Sequence, residues 1–285
     1  MTETYELSNG VRIPALGLGT WLIDDAAVEA VVATALDAGY RHLDTAQAYG
    51  NEAGVGRAVR RAAVPREELF ITTKLAAERK DYAEASAAID RSLEVMGLDY
   101  LDLMLIHSPE PWADFRSGNH YFEGNLAAWR ALEDAQAAGK LRAIGVSNFE
   151  PADLQNILDH GRVVPQVNQV LAHIGNLPQD VIAFDAEHGI LTEAYSPVAH
   201  GAMLANPQIR AVAARYGVSV ARLAIRFIQQ LGLLPLPKAQ TPAHIRDNAE
   251  LDFTIADADM DALTVIHFAD YGEDSAFPVY SGKRD

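Results

Sequence analysis

Asp44, Tyr49, Lys74 and His107 are the side-chain types needed to hand a proton to a carbonyl oxygen. A phenol, with a pKa of about 10, is a poor acid at neutral pH. A neighbouring ammonium stabilises the phenolate and lowers that pKa, while a carboxylate beyond the lysine keeps it charged and oriented. A neutral imidazole can donate to the same oxygen and orient the carbonyl. Protonating that oxygen is productive when hydride reaches the carbon at the same time. No side chain delivers hydride, so the set calls for a nicotinamide or a flavin. Each residue alone has an ordinary structural reading: a solvated lysine, a core histidine, a packed tyrosine, a helix-capping aspartate. The signal lies in their joint placement.

That placement follows from the elements. Seven of eight short apolar runs stop at, or just before, a polar residue. Run 41–43 stops at Asp44, 69–73 at Lys74, 101–106 at His107 and 143–146 at Ser147-Asn148. Run 167–168 stops at Gln169, 190–194 at Tyr195 and 233–237 at Lys238. Helix-like segments separate the runs, and the runs lack polar alternation, as strands buried on both faces do. Repeated strand ends of this kind build a site on the C-terminal rim of a parallel barrel.

The punctuation supports that architecture. Asn9-Gly10 marks a hairpin over 5–13, placed to plug the lower end of the barrel ahead of a first strand at 15–19. A helix from Asp25 carries Val28, Val31, Val32, Ala35 and Leu36 on one face and ends before Gly39; the next spans about 50–61. Asp81 and Glu84 have capping-box spacing ahead of a stripe of Tyr82, Ala85, Ile89, Leu93 and Met96, closed by Gly97. Leu126, Trp129 and Leu132 stripe a helix closed by Gly139, and Pro151 and Pro178 fit first helical turns. Two helical patterns, 206–216 and 219–230, fill the gap before the last strand, with Ser219 a cap for 220–230. Thr241-Pro242 opens another helix, and Asp257 can cap a final one over 258–268. The expected fold is a single-domain (β/α)8 TIM barrel over 1–285, with an N-terminal β-hairpin and a C-terminal rim loop over 271–285.

At 285 residues, 49% hydrophobic and 22% charged, the chain suits one large α/β barrel. A net charge of −16 opposes nucleic acid and acidic membrane surfaces, so an anionic ligand needs a local basic pocket. The absence of cysteine excludes disulfides, thiolate metal sites and cysteine nucleophiles. The N-terminus is acidic and no apolar run approaches the ~20 residues of a membrane span, so the expected location is the cytoplasm. Gly17-Leu18-Gly19 and Gly54-Val55-Gly56 begin like dinucleotide fingerprints but lack the final glycine. No HExxH occurs, which argues for no metal and against a metal-dependent barrel hydrolase. His173 reads as structural.

The motifs resemble those of the aldo-keto reductase family. They are Leu43-Asp44-Thr45-Ala46-Gln47-Ala48-Tyr49-Gly50-Asn51-Glu52, Gly97-Leu98-Asp99-Tyr100-Leu101-Asp102-Leu103, Gly145-Val146-Ser147-Asn148-Phe149, Val167-Asn168-Gln169, Ala194-Tyr195-Ser196-Pro197 and Pro237-Lys238. The resemblance runs from Val11 to about Asp252 and, among branches, is greatest to prokaryotic 2,5-diketo-D-gluconate reductase-type members. It implies an NADPH-dependent enzyme reducing an aldehyde or ketone to an alcohol, working as a monomer on a small carbonyl substrate. Tyr49 is then the general acid, Lys74 and Asp44 its tuning pair, and His107 the group orienting the carbonyl. Ser147, Asn148 and Gln169 match the partners of the nicotinamide carboxamide, and Tyr195 the ring stacked on the nicotinamide. Gly19, Thr20 and Trp21 match the first rim loop, where Trp21 meets cofactor and substrate. Ser196 matches a pyrophosphate contact, and Lys238 and Asn248 hold the adenosine half.

Two departures from the family stand out. A serine and an arginine usually follow the position of Lys238, aimed at the 2′-phosphate of NADP. Here they are Ala239 and His244, which predicts NADPH preference with tolerance of NADH. Ser108-Pro109 stands where many relatives have Trp-Pro, and Trp112 is close enough in sequence either to refill that wall or to leave it open. Substrate selection is expected at Trp21, Trp112, the 113–124 loop and the tail. The competing readings are a non-catalytic NADP-binding sensor or regulatory subunit of the same fold, and a barrel hydrolase or isomerase.

Overall fold

Residues 3–268 and 270–281 are described by a computed structural model; positions 282–285 of the expected rim loop lie outside the described residues. The chain opens with β1 (Thr4–Glu6) and β2 (Arg12–Pro14), an antiparallel hairpin turning at Gly10, whose φ is 81°. Eight parallel strands follow: β3 (Gly17–Gly19), β4 (His42–Asp44), β5 (Phe70–Leu75), β6 (Leu101–Ile106), β7 (Leu141–Ser147), β8 (Val167–Leu171), β9 (Leu191–Tyr195) and β10 (Leu234–Leu236). Each pairs with its sequence neighbour, and Gly19 N donates to Pro237 O at 3.0 Å beside a parallel bridge to Lys238, which closes the barrel. Glycine at 17 lets the seam close tightly, because a Cβ there would stand 2.5 Å from the Leu236 side chain and 2.7 Å from the buried His42 ring.

A helix fills every interval: α1 (Asp25–Asp37), α2 (Glu52–Arg61), α3 (Tyr82–Met96), α4 (Phe122–Ala137), α5 (Pro151–His160) and α6 (Gln179–Glu187), then α7 (Pro207–Tyr216) and α8 (Val220–Gln230) together before β10. After β10 come α9 (Pro242–Ala249), α10 (Asp257–Thr264) and α11 (Pro278–Ser281). The expected face of α1 is buried in full. Gly54 and Gly56 lie inside α2 and serve packing: a Cβ on Gly56 would come within 2.1 Å of Met96 O at the end of α3. Asp81 caps α3 by accepting from Ala83 N and Glu84 N at 2.8 and 3.1 Å. No helix among the described residues is long and apolar enough to cross a membrane.

Four expectations need correction. The second helix starts at Glu52, because Gly50 takes a left-handed φ of 69° and ends a tight turn first. Tyr82 is exposed rather than part of the α3 stripe, and its hydroxyl donates to Asp134 at 2.8 Å. The last long helix begins at Asp257 and ends at Thr264, since Phe268 N leaves the helix path to donate to Gly175 O at 3.2 Å. The tail is not a bare loop: it forms a 3-10 turn over Gly272–Ala276 and then α11.

Strand alternation sorts the core into two layers. Leu43, Ile71, Met104, Ile106, Ile144 and Val146 face outward and pack with the buried sides of the helices. Phe70, Leu103, Leu105, Ala143, Val167, Leu234 and Leu236 pack together in the lumen, and Leu7 and Ile13 of the hairpin join them as the barrel's floor.

Candidate active site

Climbing the lumen two residues at a time replaces apolar with polar side chains. In β5 the inward series is Phe70, Thr72, Lys74, and in β4 it is His42, Asp44. In β8, Gln169 follows Val167, and β9 carries Glu193 at the same height. In these strands the polar rung stands directly above the apolar layer of the lumen. β8 does not stop at Gln169, as the run length suggested; it continues to Leu171.

Lys74 Nζ donates to Asp44 Oδ1 at 2.6 Å, to Thr45 O at 3.0 Å and to Tyr49 Oη at 3.4 Å. Tyr49 rides on a short 3-10 turn, Gln47–Tyr49. Gln47 pins that turn to the α3 side, donating to Ala88 O at 3.0 Å and Ser92 Oγ at 2.9 Å and accepting from Ala76 N at 2.9 Å. Asn51 fastens the neighbouring loop, donating to Thr20 O at 2.9 Å and Ile23 O at 2.8 Å. His107, just after β6, meets Tyr49 edge-on with ring centroids 5.6 Å apart and Trp112 with centroids 5.0 Å apart. Trp112 lines the cavity of the site, whereas Ser108 is fully buried and does not reach it.

Burial controls the protonation states. Burial lowers the His107 imidazole well below its ordinary value and the nearby Lys74 charge adds to this, so the ring is neutral. Burial alone would lower Lys74, but Asp44 and Tyr49 outweigh it and hold the ammonium above its ordinary value. Tyr49 differs from expectation. Lys74 does lower it, but burial outweighs the lysine and Asp44 adds to the rise, so the phenol lies above its ordinary value. It stays protonated, the state a proton donor requires.

These groups face a cavity of about 670 Å³. Asp44, Tyr49, His107 and Trp112 line it together with Gly19 and Trp21. Ser147, Asn148, Gln169, Tyr195 and Ser196 line it as well, and so do Lys238, His244 and Asn248. Two expected site residues do not line it. Lys74 sits behind Asp44 and Tyr49. Thr20 is fully buried and its hydroxyl donates to Asp44 O at 2.9 Å, so it supports the carboxylate's strand. The loop 113–124 contributes no lining residue, whereas the tail contributes Phe277, Pro278 and Val279.

The polar lining is tightly organised. Ser147 Oγ donates to Gln169 O at 2.8 Å, and Asn148 Nδ2 donates to His107 O at 3.0 Å. Asn148 has a left-handed φ of 61°, a conformation asparagine tolerates, and its Oδ1 accepts from Tyr195 Oη at 2.8 Å. The ammonium of Lys238, lowered from its ordinary value by partial burial, has no ion pair among the described residues. Sequence reasoning missed Glu193, buried beside Gln169, and Asp247, which lines the cavity near His244 and accepts from Ser219 Oγ at 2.6 Å. Both are carboxylates inside strand or helix patterns with no distinguishing neighbour in sequence. His173 is buried off the cavity, bonded to Tyr271 Oη at 2.9 Å, and so anchors the tail. Tyr280 of the tail hydrogen-bonds to Ser196, and Phe277 meets Trp21 edge-on at 4.8 Å.

The fold is a (β/α)8 barrel with a cavity among the C-terminal ends of its strands. Residues 15–267 match the Aldo/keto reductase family. A methylglyoxal reductase of Yersinia pestis is 40% identical over 267 residues, covering 93% of this chain and 92% of that protein. An aldo/keto reductase of Brucella melitensis superposes with a TM-score of 0.86 at 37% identity, over 93% of this chain and 99% of that one. A Bombyx mori aldo-keto reductase solved in complex with NADP gives a TM-score of 0.84 at 30% identity, over 98% and 99% of the two chains. The chain belongs to the aldo/keto reductase family. It is an enzyme of that family's kind, an NAD(P)H-dependent oxidoreductase.

Proposed function

We propose that this protein reduces an aldehyde or ketone to an alcohol with NADPH, and that Tyr49 supplies the proton. The observation that carries the reading is the buried chain from Asp44 through Lys74 to Tyr49, with neutral His107 beside the phenol. The His107 imidazole can donate to a carbonyl oxygen without competing as a base. The Tyr49 phenol donates its proton to that oxygen, and the Lys74 ammonium, 3.4 Å away, stabilises the phenolate left behind.

The cavity suits a nicotinamide dinucleotide on the chain's own atoms. Gln169 Oε1 has no partner within the chain among the described residues, and Lys238 makes no close ion pair among them, with Asp274 acting on it only from farther off. Ser147, Asn148 and Gln169 would hold the carboxamide, and Tyr195 would stack on the ring. Gly19, Trp21 and Ser196 would flank the middle of the cofactor, with Lys238, His244 and Asn248 at the adenosine phosphate. When bound, the reduced nicotinamide supplies the hydride. Trp21 and Trp112 would bound the substrate.

The complex of a Bombyx mori relative with NADP supports the choice of cofactor, and the Yersinia pestis relative named a methylglyoxal reductase supports a small carbonyl substrate. The test is the loss of NADPH absorbance in the near ultraviolet with a panel of diketones, keto sugars and aromatic aldehydes. Consumption that depends on the carbonyl supports the reading. Tight NADPH binding without turnover on any of them would instead indicate a sensor.

A further inference from the structure

Gln169 stands between two buried carboxyl groups. Its Nε2 donates to Asp44 Oδ2 at 2.9 Å and to Glu193 Oε2 at 2.7 Å. A primary amide has two N–H bonds and one carbonyl oxygen. Both N–H bonds are therefore committed to the barrel interior, one to Glu193 on the adjacent strand β9 and one to Asp44 across the lumen on β4. The carbonyl oxygen Oε1 accepts nothing within the chain among the described residues, on a side chain that lines the cavity. Glu193 has no exposed surface, and its second oxygen, Oε1, also lacks a partner among the described residues. A buried carboxyl so poorly satisfied costs stability, which calls for a compensating role.

Asp44 alone can decide which end of the Gln169 amide turns inward, because the carbonyl end would meet the carboxylate. One hydrogen bond still leaves the amide free to swing about it. The bond to Glu193 removes that freedom and leaves no N–H to offer the cavity. We propose that Glu193 is a positioning residue, which locks the Gln169 amide so that it presents only a carbonyl acceptor to the carboxamide N–H of the nicotinamide. The inference rests on the proposed contact between Gln169 and that carboxamide. Burial raises the Glu193 acid to about 8, so near neutral pH it is a neutral carboxyl whose carbonyl oxygen still accepts from Gln169. The lock thus operates without a second negative charge beside Asp44.

The test measures dissociation constants by quenching of protein fluorescence, with no substrate present. It uses two ligands: NADPH and the reduced acetylpyridine analogue, in which a methyl group replaces the amide nitrogen. An acceptor-only Gln169 favours NADPH in the unaltered protein by about tenfold, the worth of one good hydrogen bond. Glu193→Met removes the acceptor and is expected to lower that preference to within about twofold. Glu193→Thr, too short to reach Gln169, provides the same outcome in a polar side chain if the methionine variant fails to fold. Glu193→Gln keeps an acceptor of the same length and is expected to retain the preference. Equal losses for both ligands in the methionine and threonine variants would show a structural role only and overturn the proposal, as would loss of the preference in Glu193→Gln. Gln169→Ala separates the two layers. If the preference survives in it, the carboxamide contact is wrong and the inference falls with it; if the preference vanishes there but persists in Glu193→Met, the inference alone falls.

Discussion

The Lys74 ammonium lies 2.6 Å from Asp44 Oδ1, and both side chains are almost sealed from solvent, at 1% and 5% exposure. Neither charge has water to fall back on, so each depends on the other. Lys74→Met is expected to abolish turnover and to destabilise the fold by about 3–5 kcal/mol, because it leaves a buried carboxylate unpaired. Denaturant unfolding checks the second effect. The double variant with Asp44→Asn should regain part of the stability and none of the activity.

Tyr49→Phe removes one hydroxyl and little else. Turnover should fall by about 10²–10⁴-fold, the usual worth of a positioned general acid, while NADPH affinity stays within about twofold. Retained kcat would remove Tyr49 from its proposed role.

Glu193 and Asp185 should each cost stability as pH rises toward and through neutrality. Burial raises Glu193 to about 8 and Asp185 to about 7. The unfolded chain loses both protons near pH ~4, so the folded chain binds more protons over the interval between. The stability these groups contribute is complete below that unfolded value and is lost as pH rises through about 7 and 8. His42 and His173, lowered by burial to about 3 and about 4, act in the opposite sense below their unfolded value. Lys80, lowered by burial to about 7, likewise opposes the carboxyls from there up to its unfolded value, so the carboxyl contribution, up to about 1.4 kcal/mol per pH unit for each group, is read by comparison with a variant that lacks one of them. With unfolding free energies measured at steps from pH ~5 to ~8, the Glu193→Gln variant should lack the loss of stability that the Glu193 carboxyl gives the unaltered protein over the same interval. An unchanged slope in that variant would remove Glu193 as the source.

At the adenosine end, Ala239 and His244 leave Lys238 as the one fixed cation among the cavity-lining residues, with the Asp247 carboxylate close by in sequence and on the same cavity. The protein should use NADH measurably while preferring NADPH. Ala239→Ser with His244→Arg should raise the NADPH-to-NADH ratio of kcat/KM by about tenfold or more, because a bidentate guanidinium and a hydroxyl replace weaker donors. Complete absence of NADH turnover in the unaltered protein would refute the tolerance.

Trp112 covers His107 edge-on at 5.0 Å. Trp112→Ala should widen the mouth above the imidazole, so KM for bulky aromatic ketones should fall relative to that for small aldehydes. An unchanged ratio would place substrate selection elsewhere, with Trp21 and the tail the next residues to alter.

The barrel and most cavity residues were legible because strand ends and helix caps leave local marks: Asp81, Gly97 and Ser219 fall where the structure uses them. Roles that depend on direction were not legible. With both strand faces buried, nothing in the spelling of β5 separates inward Lys74 from outward Thr73, whose hydroxyl instead reaches Glu52 at 2.7 Å. Glu193 was hidden for the same reason, since its meaning comes from Gln169 on the next strand. Thr20 reads as a rim residue until the backbone turns it onto Asp44. The α10 boundary was missed because a distant partner, Gly175, ends the helix.

The hairpin floor has a consequence for kinetic order. Leu7 and Ile13 fill the lower lumen, so the rim is the way into the cavity, for cofactor and substrate alike. On the proposed function, the nicotinamide occupies the deeper part, against Gln169 and Tyr195, and the carbonyl rests above it under Trp112. Two guests sharing one doorway leave in the reverse of the order in which they came. The alcohol then departs before the oxidised dinucleotide, so the cavity empties from the top down.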